Sequence, residues 1–232
     1  MSALPESDSA ASPVLLPCGD SAILAELPTL NQVLALYRAL SPVPEGVLDV
    51  VPAARTILVT FDPERLRMEA VRTWLLAARP IERAVSEGPL VTIEVCYDGP
   101  DLAEVAQYLA ISEDELVELH TGSEWTAAFT GFAPGFAYLV TSHEKLRVPR
   151  RNTPRTSVPA GSVALAGEFS AIYPSSSPAG WQLIGHTSAQ LWDAGQASAG
   201  LSGSARSRDE RPGTSNSPAL IVPGTRVRFT AL

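Results

Sequence analysis

The chain has 232 residues, 45% of them hydrophobic and 18% charged, with a formal net charge of −8. That length buries the core of one large domain or two small ones. The acidic balance argues against a nucleic-acid or anionic-membrane surface, because both reward positive charge.

The opening stretch MSALPESDSAASP has neither a basic start nor an apolar run, so it does not read as a signal peptide. Residues 1–13 read as a disordered lead-in. No stretch approaches the roughly 18 apolar residues that span a bilayer. Cys18 and Cys96 lie far apart without metal-ligand spacing and read as reduced thiols of a cytoplasmic protein.

From Ser21 to Asp98 strands and helices alternate. Ser21–Leu27 is strand-like, and Leu30, Val33, Leu34 and Tyr37 recur at helical spacing until Pro42 stops them. Gly46–Val51 and Arg55–Phe61 follow as strands around a Pro52-Ala53-Ala54 corner. Asp62-Pro63 reads as an N-cap with proline at the first helical position, opening a helix whose inner face is Leu66, Val71, Trp74 and Leu75. Leu90–Tyr97 alternates as a fourth strand. The order β-α-β-β-α-β is the split βαβ, ferredoxin-like layout and predicts a first domain over 14–98.

A second domain is expected over 99–232. It opens with a helical hairpin, 101–122, in which Ser112 and Glu115 make a capping box. The hairpin resembles a helix-turn-helix, but Glu113, Asp114, Glu115 and Glu118 would face phosphates, which argues against DNA. Ala194–Pro218 is rich in small polar residues and reads as a flexible loop, inserted between a strand-like QLWD and the closing strand-turn-strand ALIVPGTRVRF.

Between these lies Phe129–Thr187, where glycine and proline impose turns and short strands. Lys145, Arg147, Arg150, Arg151 and Arg155 place 5 of the 17 Lys+Arg residues within 11 positions, with no acid among them. Arginine forks match carboxylate and phosphate oxygens, and Pro149, Pro154 and Pro159 stiffen the backbone that carries them. Arg150, Arg151 and Arg155 are therefore candidates for an anion site, a solvated basic turn being the alternative. Pro134-Gly135 predicts a tight turn with Phe132, Phe136 and Tyr138 as pocket walls or as a buried corner.

Ser162 can offer its hydroxyl and nearby amides to an oxyanion, but its surroundings are not a nucleophile elbow. His120, His143 and His186 form no metal motif. His120 is either an acid–base candidate or a cation at a helix C-terminus. Glu168 and Tyr173 offer a carboxylate and a phenol. No nucleotide-binding phosphate loop occurs.

FTGFAPGFAYL, VPRRNTPRTSVPAGSVALAG and IYPSSSPAGWQLIGHT closely resemble the family of 5-oxoprolinase B subunits, also known as allophanate hydrolase subunit 1, as KipI-type kinase inhibitors and as carboxyltransferase subdomains C and D. GDSAILAEL, DVVPAARTILVTFDP, ELHTG and PGTRVRF extend the likeness over most of residues 14–232. The resemblance implies an α+β protein, a ferredoxin-like domain followed by a cyclophilin-like β-barrel.

It further implies a component that works with a C-like partner (allophanate hydrolase subunit 2-like), as a heterodimer or heterotetramer. Together with a separate A component, the pair would open 5-oxoproline using ATP with Mg²⁺. No biotin or structural metal is expected in this chain. His120, Arg150, Arg155 and Tyr173 are the catalytic candidates. Phe132, Gly135, Phe136, Tyr138, Arg151, Ser162, Glu168 and His186 are the substrate- or anion-binding ones. A KipI-type inhibitor of a sensor histidine kinase, or half of a urea- or allophanate-handling carboxyltransferase, are the alternative readings. Phe169-Ser170-Ala171, Ala179 and His186 depart from the family pattern, which has Gln-Thr-Gly, Gly and Arg there.

Overall fold

In the computed structural model the described residues are 12–82, 88–195 and 217–232. They fall into two units, divided between Ala84 and Val85. Most of the expected lead-in and of the loop 194–218 lies outside the described residues.

In the first unit Val14–Pro17 (β1) and Ala22–Glu26 (β2) form a hairpin, Leu30–Ala39 is α1, Val47–Pro52 is β3, Thr56–Phe61 is β4 and Met68–Ala77 is α2. The sheet is antiparallel in the order β1-β2-β4-β3. Period-two alternation in β4 buries Ile57, Val59 and Phe61, while α1 contributes Val33 and Leu36 and α2 contributes Val71 and Leu75. Thr29 caps α1 by accepting from the Gln32 amide at 3.3 Å. Tyr37, expected on the inner face of α1, is exposed.

Two expectations are corrected here. Asp62-Pro63 does not open a helix: the Asp62 carboxylate accepts from the Glu64 amide at 3.0 Å and its carbonyl from Leu66 at 2.9 Å, making a turn, and α2 starts at Met68. The fourth strand of this sheet is β1, not Leu90–Tyr97. Alternation shows that a strand is half-buried but not which sheet it joins. The boundary accordingly falls before Val85 rather than after Asp98.

Leu90–Val95 (β5) opens the second unit, running parallel to Arg226–Ala231 (β13) over six paired positions. Helices α3 (Leu102–Leu109) and α4 (Glu113–Gly122) follow, with Ser112 capping α4 through the Glu115 amide at 3.1 Å. The strands are β6 (Trp125–Thr130), β7 (Ala137–Val140), β8 (Arg155–Val158), β9 (Ser162–Ala166), β10 (Phe169–Ile172), β11 (Ser177–Ala179) and β12 (Gln182–His186). Five of these join β5 and β13 in one seven-stranded sheet, in the order β12-β9-β10-β7-β6-β13-β5, and β8 and β11 pair as a separate ribbon.

The two edges of the seven-stranded sheet meet, so it curls into a nearly closed barrel. Cys96, just beyond β5, and His186 on β12 exchange both backbone hydrogen bonds at 2.9 Å. The Gly99 amide donates to the Ile184 carbonyl at 3.3 Å and the Asp101 amide to the Leu183 carbonyl at 3.0 Å. One face of the sheet packs Val163, Leu165, Ile172 and Ile184 with Trp125 and Phe229. The other packs Ala164, Ala166, Ala171 and Leu183 under Phe136, Tyr173 and Trp181.

The ends of the 194–218 segment are pinned together by a Trp192–Ala219 bridge, with the Asp193 amide donating to Pro218 at 2.8 Å. The strand expected over Ala219–Val222 shortens to that single bridge and a turn. No helix among the described residues is long and apolar enough to cross a membrane.

At Gly185 and Gly99 the seam leaves no room for a side chain. A Cβ at Gly185 would collide with the Cys96 carbonyl oxygen, and one at Gly99 with that of Leu183. Gly185→Ala is expected to destabilise the second unit by about 1–3 kcal/mol, read as a lower urea midpoint at unchanged slope.

Candidate functional site

The basic stretch does have an acid, and it lies 50 residues upstream in sequence. Asp101 is 1% exposed. Arg155 grips it with both ends of its guanidinium, Nη1 to Oδ2 at 2.9 Å and Nη2 to Oδ1 at 2.8 Å. Arg151 Nη1 donates to Oδ1, and the Leu183 amide donates to Oδ2 at 2.7 Å. Burial pushes the Asp101 carboxyl upward, but the Arg155 fork, the Leu183 amide and the two arginine charges outweigh it and hold the group below its ordinary value. Arg151 and Arg155 are thus committed to an internal clamp, a correction to their reading as a free anion grip. Arg147 is similarly paired, 3.6 Å from Glu168.

Arg150 is different. No ion pair engages it among the described residues, and its guanidinium carbon lies 6.0 Å over the Trp181 ring. Around it the aromatic residues interlock edge to face: Phe136 contacts Tyr138, Tyr173 and Trp181 with centroids 5.0, 5.3 and 5.8 Å apart. Phe132, 62% exposed at φ 69°, closes on Phe136 at 5.2 Å and Tyr173 at 6.3 Å. Burial pushes the Tyr173 phenol up to about 12, against the pull of the Arg150 charge, and raises Tyr138 in the same way. Both are neutral donors at pH 7.

The turn that carries Phe132 is shaped by Gly135, whose φ is 83° and whose Cβ would meet the Leu191 carbonyl at 2.9 Å. On its other side Gly131–Gly135 line an open cleft of about 520 Å³ with Trp192, Ile221 and Pro223. The turn therefore serves both as a buried corner and as a pocket wall.

Five of the predicted residues come together here: Arg150, Phe132, Phe136, Tyr138 and Tyr173. The others are placed elsewhere. His120 is wholly buried, its ring 4.4 Å from that of Phe229, with Nδ1 2.7 Å from the Tyr97 hydroxyl and Nε2 3.0 Å from Ser170 Oγ. Burial lowers its pKa to about 3, so it is a neutral core group and not a solvent-facing acid or base. Ser162 is buried at the start of β9, opposite His186. Glu168 follows the hairpin glycine with Arg147 as its partner. His186 sits on the barrel seam, its Nδ1–H donating to Asp98 at 2.8 Å. That hydrogen bond is the leading cause that lowers the Asp98 carboxyl.

Sequence reading missed Asp101, Trp181 and Asp98. Asp101 shows only as a helix-start residue, and its partners lie across 50 and 54 positions. Trp181 stands in a Gly-Trp step that marks a turn without telling what the ring covers.

A mixed α/β chain with a nearly closed barrel defines the class. The same architecture is seen in the urea amidolyase of K. lactis, at a TM-score of 0.75 over 99% of this chain and 15% of that one; at 18% identity this is a likeness of fold alone. Residues 13–201 match the family described as carboxyltransferase domain, subdomain C and D, and the chain belongs to that family. It is 36% identical over 221 residues to the 5-oxoprolinase B subunit of Escherichia coli O157:H7, covering 91% of this chain and 92% of that protein. It also superposes on TTHA0988 with a TM-score of 0.67 at 34% identity; the match takes in 91% of this chain and 40% of the longer one.

Two pH effects follow, and their signs agree. His120 binds its proton more weakly folded than unfolded, so stability is full above its ordinary value of 6.5 and falls as pH drops toward 3. The expected slope is about 1.4 kcal/mol per pH unit. Asp101 is depressed, so its contribution is present above 3.8 and is lost as pH falls through its lower folded value. Urea unfolding at stepped pH measures both limbs, and an imidazole that titrates near 6 in NMR would refute the first. Asp101→Asn, which strands two arginines, is expected to cost about 3 kcal/mol.

Proposed function

We propose that this chain is the B component of a 5-oxoprolinase-type hydrolase. In this reading it acts with a C-like partner, and with an A-like component in the full complex, to open 5-oxoproline at the expense of ATP. The observation that carries the reading is the near full-length match to 5-oxoprolinase B subunits, a name borne by three relatives at 35–36% identity. The same naming favours the hydrolase over the kinase-inhibitor and carboxyltransferase alternatives. The ferredoxin-like and cyclophilin-like labels for the two units, and a cytoplasmic location, belong to the same proposal.

The chemistry of the residues gathered around Arg150 supports it. 5-Oxoproline is a small lactam with one carboxylate. Arg150 offers one unpaired guanidinium, which matches a carboxylate. The rings of Phe132, Phe136 and Trp181 make an apolar wall, and Tyr173 and Tyr138 supply neutral hydroxyls.

A magnesium-bound triphosphate asks for more. It needs several cationic or amide donors and a carboxylate for the metal. Beside Arg150 the arginines are bound to Asp101 and Glu168, so the described residues alone do not fit it. We therefore assign the substrate carboxylate to this chain and the bulk of the nucleotide site to the partner. This chain's part is to orient the lactam and exclude water, which counts because positioning dominates such reactions.

Reconstitution with the C-like and A-like components tests the reading through 5-oxoproline-dependent ATP hydrolysis. Arg150→Ala is expected to lower the rate by about 10²-fold or more with the complex intact. A wild-type complex that leaves both compounds untouched overturns the function, and an unchanged rate in the variant removes Arg150 from the site. Arg155→Ala, by contrast, should show first as lost stability.

A further inference from the structure

The barrel seam gathers three metal-ligating side chains, two of them neighbours in sequence and the third 90 residues beyond the first. Cys96 and His186 are direct antiparallel partners, so their side chains leave the same face of the seam. Asp98, two positions beyond Cys96, points to that face as well, because extended backbone alternates. The Cys96 sulfur, an Asp98 oxygen and a His186 ring nitrogen all lie within 4.8 Å of one another. His186 and Asp98 are exposed and Cys96 is half-buried, so an ion can enter from solvent.

We propose that Cys96, Asp98 and His186 form a binding site for a divalent transition-metal ion of the zinc type. Thiolate, imidazole and carboxylate are the donors such ions take, and three protein ligands with water in the fourth position is an established tetrahedral arrangement. With bonds of about 2.0–2.3 Å, donors in that geometry stand about 3.3–3.8 Å apart. The His186–Asp98 contact at 2.8 Å must open slightly and the widest separation must close by about an ångström. Rotation of exposed side chains supplies both movements.

Two of the three ligands are held rigidly. The paired 2.9 Å backbone bonds fix Cys96 against His186, and the close Gly185 and Gly99 contacts fix the strands on either side. The site is therefore largely made before the ion arrives. On binding, the Cys96 thiol loses its proton to solvent as the sulfur–metal bond forms, and the His186–Asp98 hydrogen bond gives way to two metal bonds as solvent carries the Nδ1 proton over to Nε2, leaving the ring neutral. An ion there ties β5 to β12 at the point where the barrel closes. The spacing Cys-x-Asp with a single distant histidine matches no linear motif, which is why sequence reading expected no metal.

Cobalt(II) is the probe, used on the full-length chain carrying Cys18→Ser so that Cys96 is the sole thiol. A stoichiometric thiolate-to-cobalt charge-transfer band is expected, displaced by zinc, together with a zinc-dependent rise in Tm. Cys96→Ser should abolish the band. His186→Arg, which keeps an ion pair with Asp98 and so preserves the fold, should weaken binding by about tenfold or more. Asp98→Asn should weaken it similarly. Absence of the band from the Cys18→Ser protein overturns the proposal. So does a band that survives His186→Arg unchanged, since that is adventitious binding by one thiol.

Discussion

Asp101 is a carboxylate with almost no access to water, and everything around it is arranged to keep it charged. Its oxygens take both ends of the Arg155 fork, one end of Arg151 and the amide of Leu183, while its own amide returns a bond to the Leu183 carbonyl. A buried charge of this kind costs several kcal/mol unless its lone pairs are filled. Filling them joins three segments that are otherwise far apart: the start of α3, the β12 strand and the loop at 150–155. The clamp also aims the candidate site. Arg151 donates its amide to Gly180 at 2.8 Å, beside Trp181. Arg150 therefore leaves a backbone anchored on both sides and lies over that ring.

Local chemistry was legible in the sequence, and long-range partnership was not. The alternation of Ile57, Val59 and Phe61, the Ser112 cap and the Pro134-Gly135 turn depend on neighbours within four residues, and each forms where its residues place it. Leu90–Val95 was readable as a strand but not as the parallel partner of β13, which lies at the far end of the chain. The arginines were readable as anion binders. Two of them bind the protein's own Asp101, a distinction no spacing rule makes. His120 was ambiguous for the same reason: a helix-ending histidine becomes a neutral core group only once Phe229, Tyr97 and Ser170 surround it.

Phe169, Ser170, Ala171 and Ala179 have structural work on this barrel. Phe169 packs edge-on against Phe129 and Tyr138, at 5.7 and 5.5 Å, and so extends the aromatic wall. Ser170, on the opposite face of the same strand, turns inward to the His120 ring. Ala171 is buried under Tyr173 and Trp181. This three-residue run thus serves two faces of the sheet through simple alternation. Ala179 pairs with Arg155 in the β8–β11 ribbon, next to the clamp. These residues fill and brace the ground around Arg150 without supplying a competing charge.

In a chain of net charge −8, a cation left without an acid is a specific resource. Arg55, Arg147, Arg151, Arg155 and Arg226 all lie within 4 Å of a carboxylate. Among the described residues Arg150 does not, and the groups nearest it cannot take that role. Tyr138 and Tyr173 have their ionisation pushed upward by burial, so at neutral pH they remain hydroxyl donors and leave the guanidinium uncompensated. The aromatic wall also lowers the local dielectric, which strengthens the pull on an incoming anion. A single charge set in such a wall favours a small, singly charged, partly apolar ligand over a polyanion. That preference is the physical ground for placing the carboxylate of a lactam, and not a triphosphate, against this chain.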